Sequence, residues 1–295
     1  MSEPFFLTPT LERLLIGDKR DEPRIGLYHL YKASASQLGR VRRYSPKSIK
    51  RVKALLHTLA EHDYVRWDKQ PTADYRSPYY YVLGSRGIEY IKSIGWPISD
   101  SYRPYKEIGQ NYLQLLHKLG LNDILISAAL LKWHAPGCFL ASFQLERELA
   151  KNPYHTLWHG KPHRLIPDAF LDLRQLLDDG RQRRTPVFIE HNRGTEQEEV
   201  IRRKGHAYAT MMKTGWFREQ FTMNSLAVVF TTFEGARRRD QLRTWIYEEI
   251  RHEARSIGES FLFSTQPQPP DAHIWLSPCF YTPFVEDKPV ALLGG

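Results

Sequence analysis

Two carboxylates, Asp168 and Glu190, have the spacing that most suggests chemistry. Each lies eleven residues from Asp179. The segment "AFLDLRQL" alternates apolar and polar residues, "DDG" is a turn signal, and "PVFIE" is a short apolar run that ends at Glu190. This pattern predicts a β-hairpin. In a hairpin centred on Asp179 the two carboxylates are neighbours, whereas a shift of one residue in the turn centre would remove the direct pairing.

Two carboxylates at one end of a sheet repel each other unless a positive charge compensates them. Mg²⁺ prefers a few carboxylates together with water and phosphate oxygens. A metal bound there could activate water and stabilise the leaving oxygen in phosphodiester cleavage. We therefore predict that Asp168 and Glu190 bind Mg²⁺ or Mn²⁺. In the simpler alternatives, Asp168 only begins a strand after Pro167, and Glu190 is a surface residue or a partner of Arg193.

A helix is expected directly after this hairpin, in "RGTEQEEVIRRKGHAYATMM". Thr195 and Glu198 have the spacing of a capping box, which places the helix start at Thr195. Lys204 and Tyr208 follow one turn apart, on the same side of the helix. The alternatives are a solvated lysine and a core tyrosine whose hydroxyl finds a partner.

The first third of the chain has the pattern of a winged helix-turn-helix. Helices are predicted in "RIGLYHLYK", in "SASQLGRVRRY" and from Ser45 and Pro46 onward. The strands "DYVRW" and "PYYYVLG" and a closing helix in "SRGIEYIKSIG" follow. In this arrangement the start of the third helix enters the major groove. Residues 40–53 carry seven basic residues and no acidic one, which favours phosphate contacts over a merely solvated face.

The residues predicted to contact DNA are basic or hydroxylic side chains: Arg40, Arg42, Arg43, Lys47, Ser48, Lys50, Arg51, Lys53, Arg76 and Arg193. The run Arg237–Arg239 is interpreted as a solvated helix start, with DNA backbone contact as the alternative. His155, His159 and His163 do not have the spacing of a metal site, although His163 could contact a phosphate near Asp168.

The totals favour a nucleic-acid partner. The chain has 295 residues, a formal charge of +9 and a pI of about 9.4, so we expect an anionic partner, with nucleic acid first and a membrane surface second. Its two cysteines form no CxxC pair, which argues against a disulfide framework or zinc ribbon. Without a signal peptide or a spanning apolar run, the expectation is a soluble cytoplasmic protein that does not enter a membrane.

The fold class predicted from this pattern is α/β with two domains. "SIGWPISDSYRPYKE" is interpreted as a linker, which gives a winged-helix domain over 1–104, a second domain over 105–285 and a tail over 286–295. The second domain begins with a long helical stretch, for which a break near Gly120 is considered. Counted from that helix, the order is helix, three strands, helix, strand, helix, with "CFLASFQ" and "SLAVVFTTF" among the strands and "AHIWLSPCFYTP" as a last strand region.

This order, with "PD" at Pro167–Asp168 and an acidic residue closing the next strand, resembles the PD-(D/E)xK restriction-endonuclease-like fold. The chain is more closely similar to the replication-relaxation family, which includes plasmid-mobilisation relaxases built on that fold. The segments that carry the resemblance are "SASQLGRV", "YVLGSRGIEYI", "HKLGLNDI", "LIPDAF", "FIEHNRGTE" and "KGHAY", which together span most of the chain.

The resemblance implies roles for five residues. Asp168 and Glu190 would be the metal-binding pair, with Glu146 of "LERELA" as a third acidic position. Lys204 and Tyr208 fall where related exonucleases place a QxxxY helix that touches the active site and DNA. The chain departs from the fold two residues after Glu190, where Asn192 replaces the expected lysine. Lys204 could supply that charge from the helix.

The leading hypothesis is a relaxase-like protein that binds double-stranded DNA and nicks a plasmid or mobile-element site with Mg²⁺ or Mn²⁺. The alternatives are a DNA-binding initiator or regulator on an inactive nuclease fold, and a double-strand endonuclease of a restriction or transposition system. The candidate protein partners are a second copy of the chain, in a homodimer, or relaxosome-type accessory proteins.

Overall fold

The structure is a computed structural model that describes residues 7–18, 25–69, 79–98, 102–109, 111–265, 271–284 and 288–293. The chain is a mixed α/β protein, as predicted. It forms two compact units, residues 1–126 and 127–295. The predicted boundary near residue 104 falls inside the first unit, and the division into DNA-binding and nuclease-like domains stays a prediction.

The first unit combines helices with a three-stranded antiparallel sheet of order β1-β3-β2. Its helices are α1 (Pro9–Ile16), α2 (Leu27–Leu30), α3 (Ala35–Val41), α4 (Ile49–Glu61), α5 (Ser85–Ser93), α6 (Pro104–Glu107) and α7 (Tyr112–Ala129), of which the last continues into the second unit. Its strands are β1 (Ala33–Ser34), β2 (Val65–Lys69) and β3 (Tyr79–Leu83).

Local capping fixes the start of α3 and of the short 3₁₀ turn before α4. At α3, Ser34 and Gln37 form a capping box, because each side chain accepts a hydrogen bond from the other residue's backbone N–H, at 3.2 and 3.0 Å. Ser45 caps a short 3₁₀ turn, Pro46–Ser48, by accepting from the N–H of Lys47. The α-helix proper therefore begins at Ile49, a little later than predicted.

The sequence predicted most elements of the first unit but not all of them. The helix expected over "RIGLYHLYK" shortens to α2, and α1 was not predicted. The long helix α7 runs unbroken through the buried Gly120, so the break considered there from the sequence is not present. None of the helices in the described ranges is long and apolar enough to span a membrane. The winged-helix assignment stays a prediction.

The second unit is built on a five-stranded mixed sheet. Its helices after α7 are α8 (Leu131–His134), α9 (Glu146–Leu149), α10 (Glu198–Thr214), α11 (Trp216–Phe221), α12 (Ala236–Ile250) and α13 (Arg255–Gly258). Its strands are β4 (Cys138–Leu145), β5 (Tyr154–Trp158), β6 (Lys161–Leu165), β7 (Ala169–Leu176), β8 (Gln182–Asn192), β9 (Ala227–Thr232) and β10 (Phe261–Thr265).

The five strands follow the order β10-β9-β8-β7-β4, and β5 and β6 form a separate hairpin. The strands β4, β7 and β8 pair antiparallel, whereas β8, β9 and β10 run parallel. The β7–β8 register pairs Ala169 with Ile189 and Leu176 with Gln182, which confirms the predicted hairpin. A buried aromatic and aliphatic core packs α10 and α12 against this sheet.

Two strand predictions in this unit were wrong or incomplete. The segment expected to be the last strand forms a 3₁₀ helix, Ala272–Trp275, and contributes only isolated β-bridges at Phe280 and Tyr281, while the last strand among the described residues, β10, lies earlier in "FLFST". Because β10 is a parallel strand buried beside β9, it is a short continuous apolar run without alternation. The β5–β6 hairpin was also not predicted, since its proline and glycine content masks the alternation.

The hairpin that carries the carboxylates contains a buried ion-pair cluster, which gives a stability prediction. The side chain of Asp172 is 2 % exposed and pairs with Arg174 and Arg184, each at 2.9 Å. We expect Asp172→Ala to lower the free energy of unfolding by about 1.5–3 kcal/mol, because it removes the buried, charged acceptor that the two guanidinium groups share, although each group is about a third exposed and keeps another acceptor. Asp179→Ala, which removes an exposed ion pair with Arg181 in the same hairpin, should cost less than about 1 kcal/mol. Equal losses in urea denaturation would contradict this expectation.

Candidate active site

Glu190 is a buried carboxylate in β8 whose two oxygens both accept hydrogen bonds. It is 1 % exposed. The hydroxyl of Tyr208 donates to Oε1 at 2.5 Å, and the ammonium of Lys204 donates to Oε2 at 2.8 Å. A buried carboxylate requires such partners, and here both come from α10.

Asp168 lies directly before β7, opposite Glu190 in the extended hairpin register. Its backbone N–H donates to the carbonyl of Ile189 at 3.1 Å, and its Oδ2 accepts from the N–H of His191 at 2.7 Å. The charge of Asp168 acts on Glu190 across the strand pair. The structure therefore brings the two predicted carboxylates together.

The helix α10 delivers Lys204 and Tyr208 to Glu190 from one face, because residues four apart are neighbours on a helix. The predicted start of this helix was wrong. The helix begins at Glu198. Its N-cap residue is Gln197, whose side chain makes no capping hydrogen bond, and the Thr195–Glu198 capping box is not formed. Glu196 lies before the helix and bonds Asn192 and Lys204 instead.

Glu196 connects the lysine to the turn after β8. Its Oε1 accepts from Lys204 at 2.7 Å, and its Oε2 accepts from the side-chain amide of Asn192 at 2.8 Å. The oxygen of Asn192 accepts from the N–H of Gly194 and from Nε of Arg238, each at 2.8 Å. Nothing in the local sequence distinguishes Glu196 from an ordinary charge near a helix start.

The charges of the site determine its protonation behaviour. Burial raises the pKa of Glu190 to about 7, with a further increase from Asp168, although Lys204 and Tyr208 act against the increase. Burial would lower the pKa of Lys204, but attraction by Glu190, Asp168 and Glu196 outweighs it, and the pKa is raised. Lys204 is therefore an ammonium beside the ionised Glu190. Burial and the neighbouring Glu190 raise the pKa of Tyr208 far above its usual value, so it remains a neutral phenol.

Glu146, the predicted third acidic ligand, begins α9 next to Asp168. Its N–H donates to the carbonyl of Asp168 at 3.0 Å, but its side chain is exposed. Within the described ranges no group of three His, Cys, Asp or Glu side chains could hold a metal ion. A metal-binding role thus rests on Asp168 and Glu190 and stays a prediction.

The predicted DNA-contacting residues differ in how exposed and how paired they are. Arg40 is paired with Asp123 at 2.6 Å, and Arg42 with Asp18 at 3.2 Å. Ser48 and Arg193 are half-buried, and Arg76 lies outside the described residues. The exposed members are Arg43, Lys47, Lys50, Arg51 and Lys53.

Two further basic segments also differ from the sequence interpretation. In the run Arg237–Arg239 only Arg237 is exposed, because Arg238 bonds Asn192 and Arg239 lies over the ring of Tyr281, 3.9 Å from its centroid. His163 belongs to β6, which packs against α10. Burial and the positive charges of Arg203, Lys204 and His206 lower its pKa. No local pattern distinguishes these residues from ordinary surface charges.

This fold and site define a mixed α/β protein in which two carboxylates of a hairpin meet a lysine carried by the following helix. Residues 27–225 match the replication-relaxation family. The match covers more than half of the chain, and the chain therefore belongs to this family, whose name connects it with replication. No curated protein and no solved structure matches the chain.

The raised pKa of Glu190 predicts a pH-dependent stability in metal-free protein. Because the folded state holds this proton more tightly than the unfolded state does, the stabilisation is present below pH 4.5 and is lost as the pH rises toward about 7. The slope should be about 1.4 kcal/mol per pH unit in that window. Urea denaturation in the presence of a chelator should show the slope in the wild type and in the exposed control Glu219→Gln, but not in Glu190→Gln. An unchanged slope in Glu190→Gln would contradict the assignment.

Proposed function

We propose that this protein binds double-stranded DNA and nicks it with a divalent metal ion during replication or mobilisation of a plasmid or mobile element. The observation that supports this most directly is the position of Lys204, whose ammonium lies 2.8 Å from a carboxylate oxygen of Glu190. Two carboxylates and a lysine are the groups that the PD-(D/E)xK chemistry requires. The lysine missing at position 192 is thus replaced by one from α10.

The donor set fits a hard divalent cation such as Mg²⁺ or Mn²⁺. Burial and, to a smaller extent, repulsion by Asp168 raise the pKa of Glu190, and a bound cation would offset both effects. With two protein carboxylates, the remaining ligands would be water and phosphate oxygens, a combination that Mg²⁺ favours. When bound, the ion would supply an activated water and charge stabilisation for phosphodiester hydrolysis.

The other residues of the site have distinct roles in this proposal. Lys204 remains charged, so it acts by stabilising the negative charge that develops on the phosphate, not as a general base. Tyr208 is fully buried and neutral. It therefore acts through its hydrogen bond to Glu190 and not as a covalent nucleophile.

The exposed basic residues of the first unit supply the proposed DNA contact. Arg43, Lys47, Lys50, Arg51 and Lys53 precede or belong to the first two turns of α4. Contacts from such residues give affinity and orientation through phosphates. A homodimer and accessory proteins remain predictions.

Nicking of supercoiled plasmid tests the catalytic proposal. We expect conversion to open circles with Mg²⁺ or Mn²⁺ on DNA that carries the cognate site. Asp168→Asn and Glu190→Gln should each lower the rate by at least about a hundredfold, because each removes a metal-binding carboxylate. Glu219→Gln, an exposed carboxylate on α11, is the matched control. Undiminished nicking by the two site variants would refute the proposal, and linear products would indicate double-strand cleavage instead.

Binding titrations test the DNA surface. Replacing Lys47, Lys50 and Lys53 by alanine should weaken DNA binding and reduce the slope of log affinity against log salt by about 0.9 for each lost phosphate contact. Arg40→Ala and Arg42→Ala should mainly reduce stability, because both arginines are held in ion pairs. Lys92→Ala on α5 is an exposed control, and an equal change of salt slope in this control would contradict the assignment.

One observation favours a second candidate function, DNA binding without cleavage. Both oxygens of Glu190 already accept hydrogen bonds. A metal ion would therefore have to displace one of the two donors or share a carboxylate oxygen with it. A nuclease fold that had lost its chemistry would have this arrangement and could serve as an initiator or regulator. Calorimetric titration with Mg²⁺ and Mn²⁺ separates the two functions, since DNA binding in the absence of any metal binding would favour the second.

A further inference from the structure

We propose that Asn192, Glu196 and Arg238 are positioning residues that hold the ammonium of Lys204 against Glu190. The catalytic consequence rests on the proposed function, but the positioning itself is a property of the folded chain. It also gives a specific role to the asparagine that replaces the lysine of the PD-(D/E)xK pattern.

The ammonium of Lys204 lies between two carboxylates. Its Nζ is 2.8 Å from Oε2 of Glu190 and 2.7 Å from Oε1 of Glu196. A lysine has a long side chain with many rotamers, so a single carboxylate does not fix its direction. The second carboxylate limits Lys204 to one position along the face of Glu190.

The orientation of Glu196 depends in turn on Asn192. The other oxygen of Glu196, Oε2, accepts from the amide Nδ2 of Asn192 at 2.8 Å. The orientation of that amide is fixed, because its oxygen accepts from both the N–H of Gly194 and Nε of Arg238. Asn192 is buried, and it uses its donor and its acceptor at the same time. An aspartate would lack the donor, and a lysine would lack the acceptor.

The turn that carries Asn192 and Glu196 is held by α12. Arg238 donates from Nη2 to the carbonyl of Glu196 at 2.6 Å in addition to its bond with Asn192. Gly194 has φ +79°, and a Cβ there would lie 3.1 Å from Cγ of Glu234. The turn therefore requires glycine, and Arg238 closes it at both ends.

Replacement of the amide by a carboxylate should disrupt this arrangement selectively. In Asn192→Asp, a second negative charge faces Glu196 where a donor stood, while Gly194 and Arg238 keep their acceptor. Repulsion then moves Glu196 away from Lys204. The converse exchange, Asn192→Asp with Glu196→Gln, keeps the net charge of the wild type. It restores the bond with the roles reversed, because the introduced glutamine amide can donate to the aspartate and still accept from Lys204.

Two measurements on the full chain test the inference. The first is the plasmid-nicking rate with Mg²⁺ or Mn²⁺. The second, independent of activity, is the rate at which acetic anhydride modifies Lys204 in metal-free protein, followed by mass spectrometry with the exposed Lys161 as internal reference. The variants are Asn192→Asp, the double exchange and Asn224→Asp, which adds the same charge at an exposed position.

We expect Asn192→Asp to lower the nicking rate about tenfold to a hundredfold, as is common for residues that orient functional groups, and to increase modification of Lys204. The double exchange should reverse at least half of the decrease in the logarithm of the nicking rate, and it should restore the protection of Lys204. Asn224→Asp should resemble the wild type in both measurements. A double exchange that leaves Lys204 as reactive as in the single variant overturns the inference, as does unchanged protection of Lys204 in Asn192→Asp. If no variant nicks DNA but the protection follows the expected order, the positioning stands and the proposed catalysis fails.

Discussion

The buried carboxylate of Glu190 is the constraint on which the second unit depends. A charge in the interior of a sheet is unfavourable unless hydrogen bonds and opposite charge compensate it. Tyr208 and Lys204 provide both from a single helix face. The helix α10 must therefore approach the end of β8 at a defined height and rotation, and the core between α10, α12 and the sheet maintains that approach.

The compensation extends beyond the first contacts. Lys204 also donates a hydrogen bond to Glu196, and Glu196 accepts one from Asn192. Asn192 in turn accepts a hydrogen bond from Arg238 of α12. Alternating charges and dipoles of this kind are favourable only when each member is satisfied. The result is a continuous network from the hairpin through the turn to the helix, which holds an acidic pair and an ammonium in proximity without a lysine on the strand.

This arrangement relates the chain to its family in chemical terms. In the proposed function, Lys204 on α10 takes the role of the lysine that the PD-(D/E)xK pattern carries on a strand, and Asn192 at that strand position helps to orient Lys204. The same hydrogen bonds that orient Lys204 also occupy both oxygens of Glu190, so the two proposed functions differ in whether a metal ion can compete with these bonds. The family membership is compatible with either outcome.

Elements whose signals are local could be predicted from the sequence alone. The alternation in "AFLDLRQL", the turn "DDG" and the apolar run before Glu190 were enough to pair Asp168 with Glu190, because hairpin register follows from the turn. Family membership could also be inferred from ordered motifs. The contact of Lys204 with Glu190, the inward turn of Glu196 in place of a helix cap, and the internal contacts of Arg238 and Arg40 became visible only in the folded chain. These contacts depend on how helices pack between residues that are distant in the chain. A pattern of charged residues shows that a segment is polar, but it does not show which residue each charge will contact.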